Sequence, residues 1–142
     1  MTLLSFLSGN ILAILAAAFG SFLWGGIFFD LRVVGKIWSQ YALPKDYKPN
    51  MKPYHLLVAA SCCLFSAMFM AVMLVKFNVS GIEGSIRAAL VTASFLTMTE
   101  LLHKIFGVKH VMAFAIEKFY DFTWLALQCI IMVNIIGLQG SL

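Results

Sequence analysis

The chain has 142 residues, 62% of them hydrophobic and 11% charged, with a formal net charge of +4. So few charged residues, and apolar ones gathered in long runs, exclude an ordinary water-soluble domain and make lipid the natural solvent. The basic charge does not point to nucleic acid, because it collects in particular connections between the apolar runs.

A helix that crosses a hydrocarbon core of roughly 30 Å, rising about 1.5 Å per residue, needs about 20 apolar residues. Four segments pass this test: 3–29, 54–75, 84–106 and 111–138. Lipid offers no partner for an unpaired backbone group, and the segments lack the alternating polarity of barrel strands, so helices are expected. The predicted fold is all-α: one polytopic membrane domain over residues 1–142, with four transmembrane helices and a short interfacial amphipathic helix after the first span.

No Lys or Arg precedes the apolar start, so a first span is expected there rather than a signal peptide, although Ala16-Ala17-Ala18 resembles a cleavage site. Within that span Gly9, Ala13, Ala17, Ser21 and Gly25 recur every fourth residue. Such a stripe of small side chains lets backbones approach closely, which is a principal source of helix association in lipid. It predicts a packing seam, either within the bundle or with a second copy.

From Leu31 to Leu43 the pattern changes. Leu31, Val34, Trp38 and Tyr41 fall on one helical face, with Arg32, Lys36, Ser39 and Gln40 opposite. This predicts a helix lying in the membrane surface, anchored by Trp38, Tyr41, Arg32 and Lys36 and ended by Pro44. Pro49 and Pro53 keep the following basic loop from continuing it, and Tyr47 and Tyr54 extend the aromatic belt. Arg32, Lys36, Lys45, Lys48 and Lys52 lie in this first connection, and Lys104 and Lys109 flank the third. The second connection has only Lys76 and Arg87 near it, and both termini lack Lys and Arg. By the positive-inside rule the first and third connections face the cytoplasm and both termini lie outside it.

Met68, Met70, Met73, Phe65 and Phe69 in the second span read as core or lipid filler. Cys62, Cys63 and Cys129 all sit in predicted spans, where adjacent cysteines rarely satisfy disulfide geometry, so they read as packing residues. Without a C-x-x-C pair, the simplest thiol redox mechanism has no basis in the sequence. Asn78-Val79-Ser80 matches a glycosylation sequon but lies almost against the membrane.

Polar residues concentrate around the third connection: Glu100, His103 and Lys104 before it, then His110, Glu117, Lys118, Tyr120 and Asp121. A hairpin turning near Gly107 would set Glu100 opposite about Glu117, and Thr97 opposite about Asp121. The plainest expectation is a salt-bridged hairpin base, with Glu100 and Glu117 paired to Lys104 and Lys118, since buried charges are normally paired. Sharper alternatives make Glu100, His103, Glu117 and Asp121 an ion or proton path, or a metal site. The Glu-x-x-His step of di-iron bundles occurs at Glu100–His103, but once where such bundles use it twice. His55, His103 and His110 match no zinc spacing. Asn10, Gln128 and Asn134 are expected to make interhelical hydrogen bonds. No nucleophile elbow, Walker loop, dinucleotide fingerprint or haem attachment motif occurs, so soluble cofactor chemistry is not expected and no cofactor is assigned.

Trp24, followed by Gly35-Lys36-Ile37-Trp38, resembles the tryptophan, glycine, basic residue and tryptophan pattern of a family of small bacterial four-span membrane proteins catalogued as a domain of unknown function. The stretch from Glu100-Leu101-Leu102 through Phe106-Gly107 to Ala115-Ile116-Glu117 is similar to that family's second half. Where the family has a compact serine-proline turn after the first tryptophan, this chain has Gly25-Gly26-Ile27-Phe28-Phe29-Asp30. The resemblance implies four spans in a bacterial inner membrane and carries over no catalytic residue. The expected function is that of a non-enzymatic interaction or accessory subunit, packed through its first helix as a homo-oligomer or in a larger membrane complex. The alternatives are a small homo-oligomeric transporter or channel, and a membrane enzyme with a metal at the Glu100 cluster.

Overall fold

The computed structural model describes residues 3–30, 32–44, 52–105 and 110–137, without the side chains of 102–105 and 136. The described residues are helical, with no strands among them. In order they form α1 (Leu3–Gly9), α2 (Ile11–Phe28), α3 (Gly35–Ala42), α4 (Pro53–Lys76), α5 (Gly81–Ile105) and α6 (Val111–Ile130), which continues as a π-helical turn over Ile131–Ile136. Two helices, α2 and α4, are long and apolar enough to cross a membrane. The segments expected to form the third and fourth spans are helices of comparable length, but Glu83, Arg87 and Glu100 in α5, and Glu117, Lys118 and Asp121 in α6, dilute their hydropathy.

The first apolar run is not one helix. At Asn10 the backbone leaves helical geometry, with φ −109° and ψ 16°, and the side-chain amide donates to the Phe6 carbonyl at 3.0 Å. A short amide competing for the backbone in this way accounts for the break.

The long helices lie side by side in the order α4, α2, α6, α5. Consecutive α4 and α5 barely touch, which leaves a cleft between them. Small residues line the contacts. Ala13, Ala17 and Ser21 of α2 are buried, as are Cys63, Ala67 and Ala71 of α4 and Ser85, Ala89 and Ala93 of α5. Each set recurs every fourth residue, so three helices present narrow stripes to their packing neighbours, α2 and α4 to each other and α5 to α6 and its continuation. Many large apolar side chains point the other way, with Leu12, Phe19, Phe65, Phe69, Val91 and Phe95 more than half exposed, while Phe6, Ile14, Met70, Leu74, Leu125 and Met132 fill the core beside the small residues. So much exposed Leu, Ile and Phe departs from a water-soluble domain, where burying such side chains supplies the stabilisation.

The stripe from Gly9 to Gly25 is therefore taken up inside the bundle. Its middle three residues are covered by the chain's own helices and are not open to a second copy. Of its ends, Gly9 has open space around it, while a Cβ on Gly25 would lie 2.7 Å from the Tyr120 hydroxyl.

Candidate functional site

One end of the bundle collects the last turn of α2, the whole of α3, the end of α5 and the first half of α6, and it holds most of the polar side chains singled out by the sequence. Asp30 shapes the exit from α2: its side chain accepts the Arg32 N–H at 2.7 Å, and its carbonyl accepts the N–H groups of Val33 and Gly35 at 2.9 and 3.1 Å. The turn is so tight that a Cβ on Gly35 would run into the Phe29 carbonyl, so this position admits only glycine without a backbone shift. Gly35 then opens α3, which lies across the start of α6.

The amphipathic pattern predicted for α3 holds in part: Val34 and Trp38 are half-buried as expected, but Tyr41 is exposed and Ser39, expected opposite, is half-buried too. Arg32, Lys36 and Gln40 are exposed, while the ring of Trp38 packs edge-on against Phe29 with centroids 5.3 Å apart. Trp38 Nε1 donates to Glu117 Oε1 at 3.2 Å, so the expected membrane anchor is tied to the polar cluster. Tyr41 packs on the ring of His110 at 4.7 Å. The helix begins at Gly35 rather than Leu31, because Asp30 holds the preceding residues in a turn; Leu31 itself lies outside the described residues.

Lys118 is the hub of the charged cluster. Its ammonium lies 2.9 Å from Glu100 Oε2, joining α5 to α6, and it also pairs with Asp121 one turn further along α6. Its side chain is 12% exposed, against 47% for Glu100. Glu100 therefore meets Lys118, the neighbour of the Glu117 that counting from the turn placed opposite it. The side chains of His103 and Lys104, and the turn at Gly107, lie outside the described residues. Among the described residues no group of three or more His, Cys, Asp and Glu comes together as a metal set. His55 and His110 cap helices instead: Nδ1 of His55 accepts the Lys52 N–H at 3.1 Å, and Nδ1 of His110 accepts the Met112 N–H at 3.2 Å.

Aromatic rings pack on one another beside these charges. Tyr120 packs against Phe28 and Phe29, with centroids 5.2 and 4.8 Å away, and stacks on Trp124 at 6.3 Å. Trp24 donates to Thr123 Oγ1 at 3.1 Å. Trp24 and Trp38 thus both hydrogen-bond to α6, one to Thr123 and the other to Glu117.

A second polar focus sits deeper in the bundle. Gln128 is fully buried, and its amide donates to Ser21 Oγ at 3.0 Å and to the Cys63 carbonyl at 3.3 Å, while Oε1 accepts from Ser66 at 3.0 Å. One side chain thereby ties α2, α4 and α6 together. Further along, Asn134 in the π-helical turn donates to Ser85 Oγ of α5 at 3.1 Å. Between the charged cluster and Gln128, the buried Trp124 Nε1 has no hydrogen-bond partner among the described residues. Sequence reasoning located Gln128 and Asn134 but missed Ser66, Ser85 and the small-residue stripes of α4 and α5, whose fourfold spacing was the available signal. No protein-family model, curated protein or solved structure matches the chain.

Proposed function

We propose that the chain is a four-span protein of a bacterial cytoplasmic membrane, with both termini outside the cytoplasm, and that it acts as a non-enzymatic interaction or accessory subunit. The observation that carries this reading is the number of large apolar side chains left on the outside, Leu, Phe, Val and Ile along every long helix, together with stripes of Ala, Ser and Cys at the helix contacts. Lipid is as apolar as leucine, so large side chains gain nothing by turning inward, and close packing of small ones holds the helices together. The same pattern runs along α5, where Ile82, Ile86, Leu90, Val91 and Phe95 are exposed while Ser85, Ala89 and Ala93 are buried. This supports a crossing by α5 despite its charges, and the pairing of Lys118 with Glu100 and Asp121 supports the same for α6. The bacterial assignment rests on the Trp24 and Gly35–Trp38 resemblance, and the orientation on the placement of Lys and Arg.

The interior polar groups are largely spent on one another, so what the chain offers a partner is its outer apolar surface. Contact through the first helix uses the side opposite the seam, where Ile11, Leu15, Phe19, Leu23 and Ile27 are exposed. A photo-crosslinking residue at Phe19 is expected to capture neighbouring protein in intact membranes, and one at Ala17 only this chain's own helices. Capture from Ala17 and none from any outward position of α2 would overturn the accessory reading.

One observation favours a second reading, an ion or proton path in a small homo-oligomeric transporter. Glu117, Asp121, Trp124 and Gln128 follow one another along α6 at intervals of three and four residues, and the buried Trp124 N–H between them has no hydrogen-bond partner among the described residues. If that path operates, Asp121→Asn abolishes flux in reconstituted vesicles while the protein stays folded. Unchanged flux in both Asp121→Asn and Glu117→Gln removes it.

A further inference from the structure

The cleft between α4 and α5 encloses about 560 Å³ and opens at the end of the bundle away from the Lys118 cluster. Its wall is apolar, formed by Met70, Met73 and Val91 among others, and its mouth carries Asn78, Ser80, Glu83 and Arg87. From the start of α5 at Gly81 to the deepest lining residue, Thr92, a helix advances about 16 Å. That is close to half of a hydrocarbon core roughly 30 Å thick, so on the membrane reading above, on which this inference rests, the cleft is one leaflet deep. Its walls match an acyl chain, and the unbranched methionines can adapt to one.

At the mouth, Arg87 Nη2 lies 2.5 Å from Glu83 Oε1, with the two side chains 76% and 80% exposed. An exposed pair one helical turn apart adds little to stability, about 0.3–0.5 kcal/mol, so holding the helix is a weak reason for both charges beside an apolar cleft. The pair does complement a headgroup that bears both signs: a guanidinium accommodates phosphate oxygens, and a carboxylate accepts from an ammonium. The arginine stem can reach from within the leaflet to the interface with its charge in water.

We propose that the α4–α5 cleft binds one glycerophospholipid with a phosphate and primary-amine headgroup, an acyl chain lying along Met70, Met73 and Val91, the phosphate on Arg87 and the amine on Glu83.

The test is native mass spectrometry of the full chain in a mild nonionic detergent, with phosphatidylethanolamine, phosphatidylcholine and phosphatidylglycerol added in equal amounts. One phosphatidylethanolamine adduct is expected to dominate. Arg87→Ala is expected to weaken it about tenfold, as loss of a charge-assisted hydrogen bond implies. Glu83→Gln is expected to remove the preference over phosphatidylcholine, and Val91→Trp, on an exposed wall position, to block all three lipids. Equal adducts in every variant would overturn the site, as would a dimer replacing the lipid adduct and lost in Val91→Trp, which would give the cleft to a second copy. Carbonate washing of the source membranes separates the two claims. Release of the protein defeats the membrane reading and the lipid site together, whereas retention without a selective adduct defeats the lipid site alone.

Discussion

Replacing Gln128 by leucine keeps the volume of the side chain and removes its polar end, isolating what the central hydrogen bonds contribute. Gln128 makes three such bonds, to Ser21, Ser66 and the Cys63 carbonyl, across two neighbouring helices. Interhelical hydrogen bonds in membranes average about 0.6 kcal/mol each, which puts the whole network near 2 kcal/mol. The loss falls no further because little is stranded by the change. Ser21 keeps its bond to the Ala18 carbonyl at 2.9 Å, and Ser66 can turn to a carbonyl of its own helix, as serines in helices commonly do. Gln128→Leu should therefore destabilise the bundle by about 1–2 kcal/mol, whereas Gln128→Ala should cost an additional 1–3 kcal/mol for the cavity it leaves. Reversible unfolding in mixed micelles, or steric trapping in bicelles, measures both. Adding Ser21→Ala to Gln128→Leu should cost almost nothing more, because the shared bond is already gone. A Gln128→Leu protein as stable as the parent would refute the claim that this residue fastens the three helices. A loss above about 4 kcal/mol would show that the site holds something besides these bonds.

Other changes probe the Lys118 end of the bundle, with one in the core for comparison. Lys118→Met leaves Glu100 and Asp121 without the cation they share and should cost about 2–4 kcal/mol, less than a fully buried pair because Glu100 is half exposed; thermal unfolding in detergent reads it. Glu100→Gln in the same assay should cost under about 1 kcal/mol, since Lys118 retains Asp121. Trp38→Phe keeps the ring against Phe29 but loses the bond to Glu117, so limited proteolysis should cut faster around α3 while the core of the bundle remains. Gly35→Ala should perturb α3 more than Gly20→Ala perturbs the core. The added Cβ meets a fixed backbone carbonyl at Gly35, but only the movable Ile131 Cδ1, at 2.7 Å, at Gly20.

The parts of this structure legible in the sequence are those written as periodic patterns. The spacing of small residues in α2 marked a face that does pack, and the two faces read into α3 marked a helix with Lys36 and Gln40 outward and Trp38 inward. The grouping of Glu100 with residues of early α6 followed from counting out from a turn, and its observed partner, Lys118, is one of the two lysines the salt-bridged hairpin base called for. What periodicity could not give was direction. Fourfold spacing from Ala13 to Ser21 serves a neighbouring helix of the same chain as well as one of a second chain, and only burial against α4 and α6 decides between them. The break at Asn10 was equally hidden, because one amide within an apolar run can bond across helices or bend its own, and here it bonds back to Phe6. The cleft between α4 and α5 was invisible for a different reason. It exists because two helices consecutive in the chain diverge in space, each packed on another neighbour.

The central claim is that the four long helices cross a membrane with the α4–α5 turn outside and α3 on the cytoplasmic face. Single cysteines at Ser80, in that turn, and at Gln40, exposed on α3, test it most directly in a protein lacking Cys62, Cys63 and Cys129. A membrane-impermeant maleimide applied to intact cells with a permeable outer envelope should label Ser80→Cys and leave Gln40→Cys unlabelled until the inner membrane is opened. Labelling of both or of Gln40→Cys alone on intact cells, or recovery of the protein in the soluble fraction, would contradict the account.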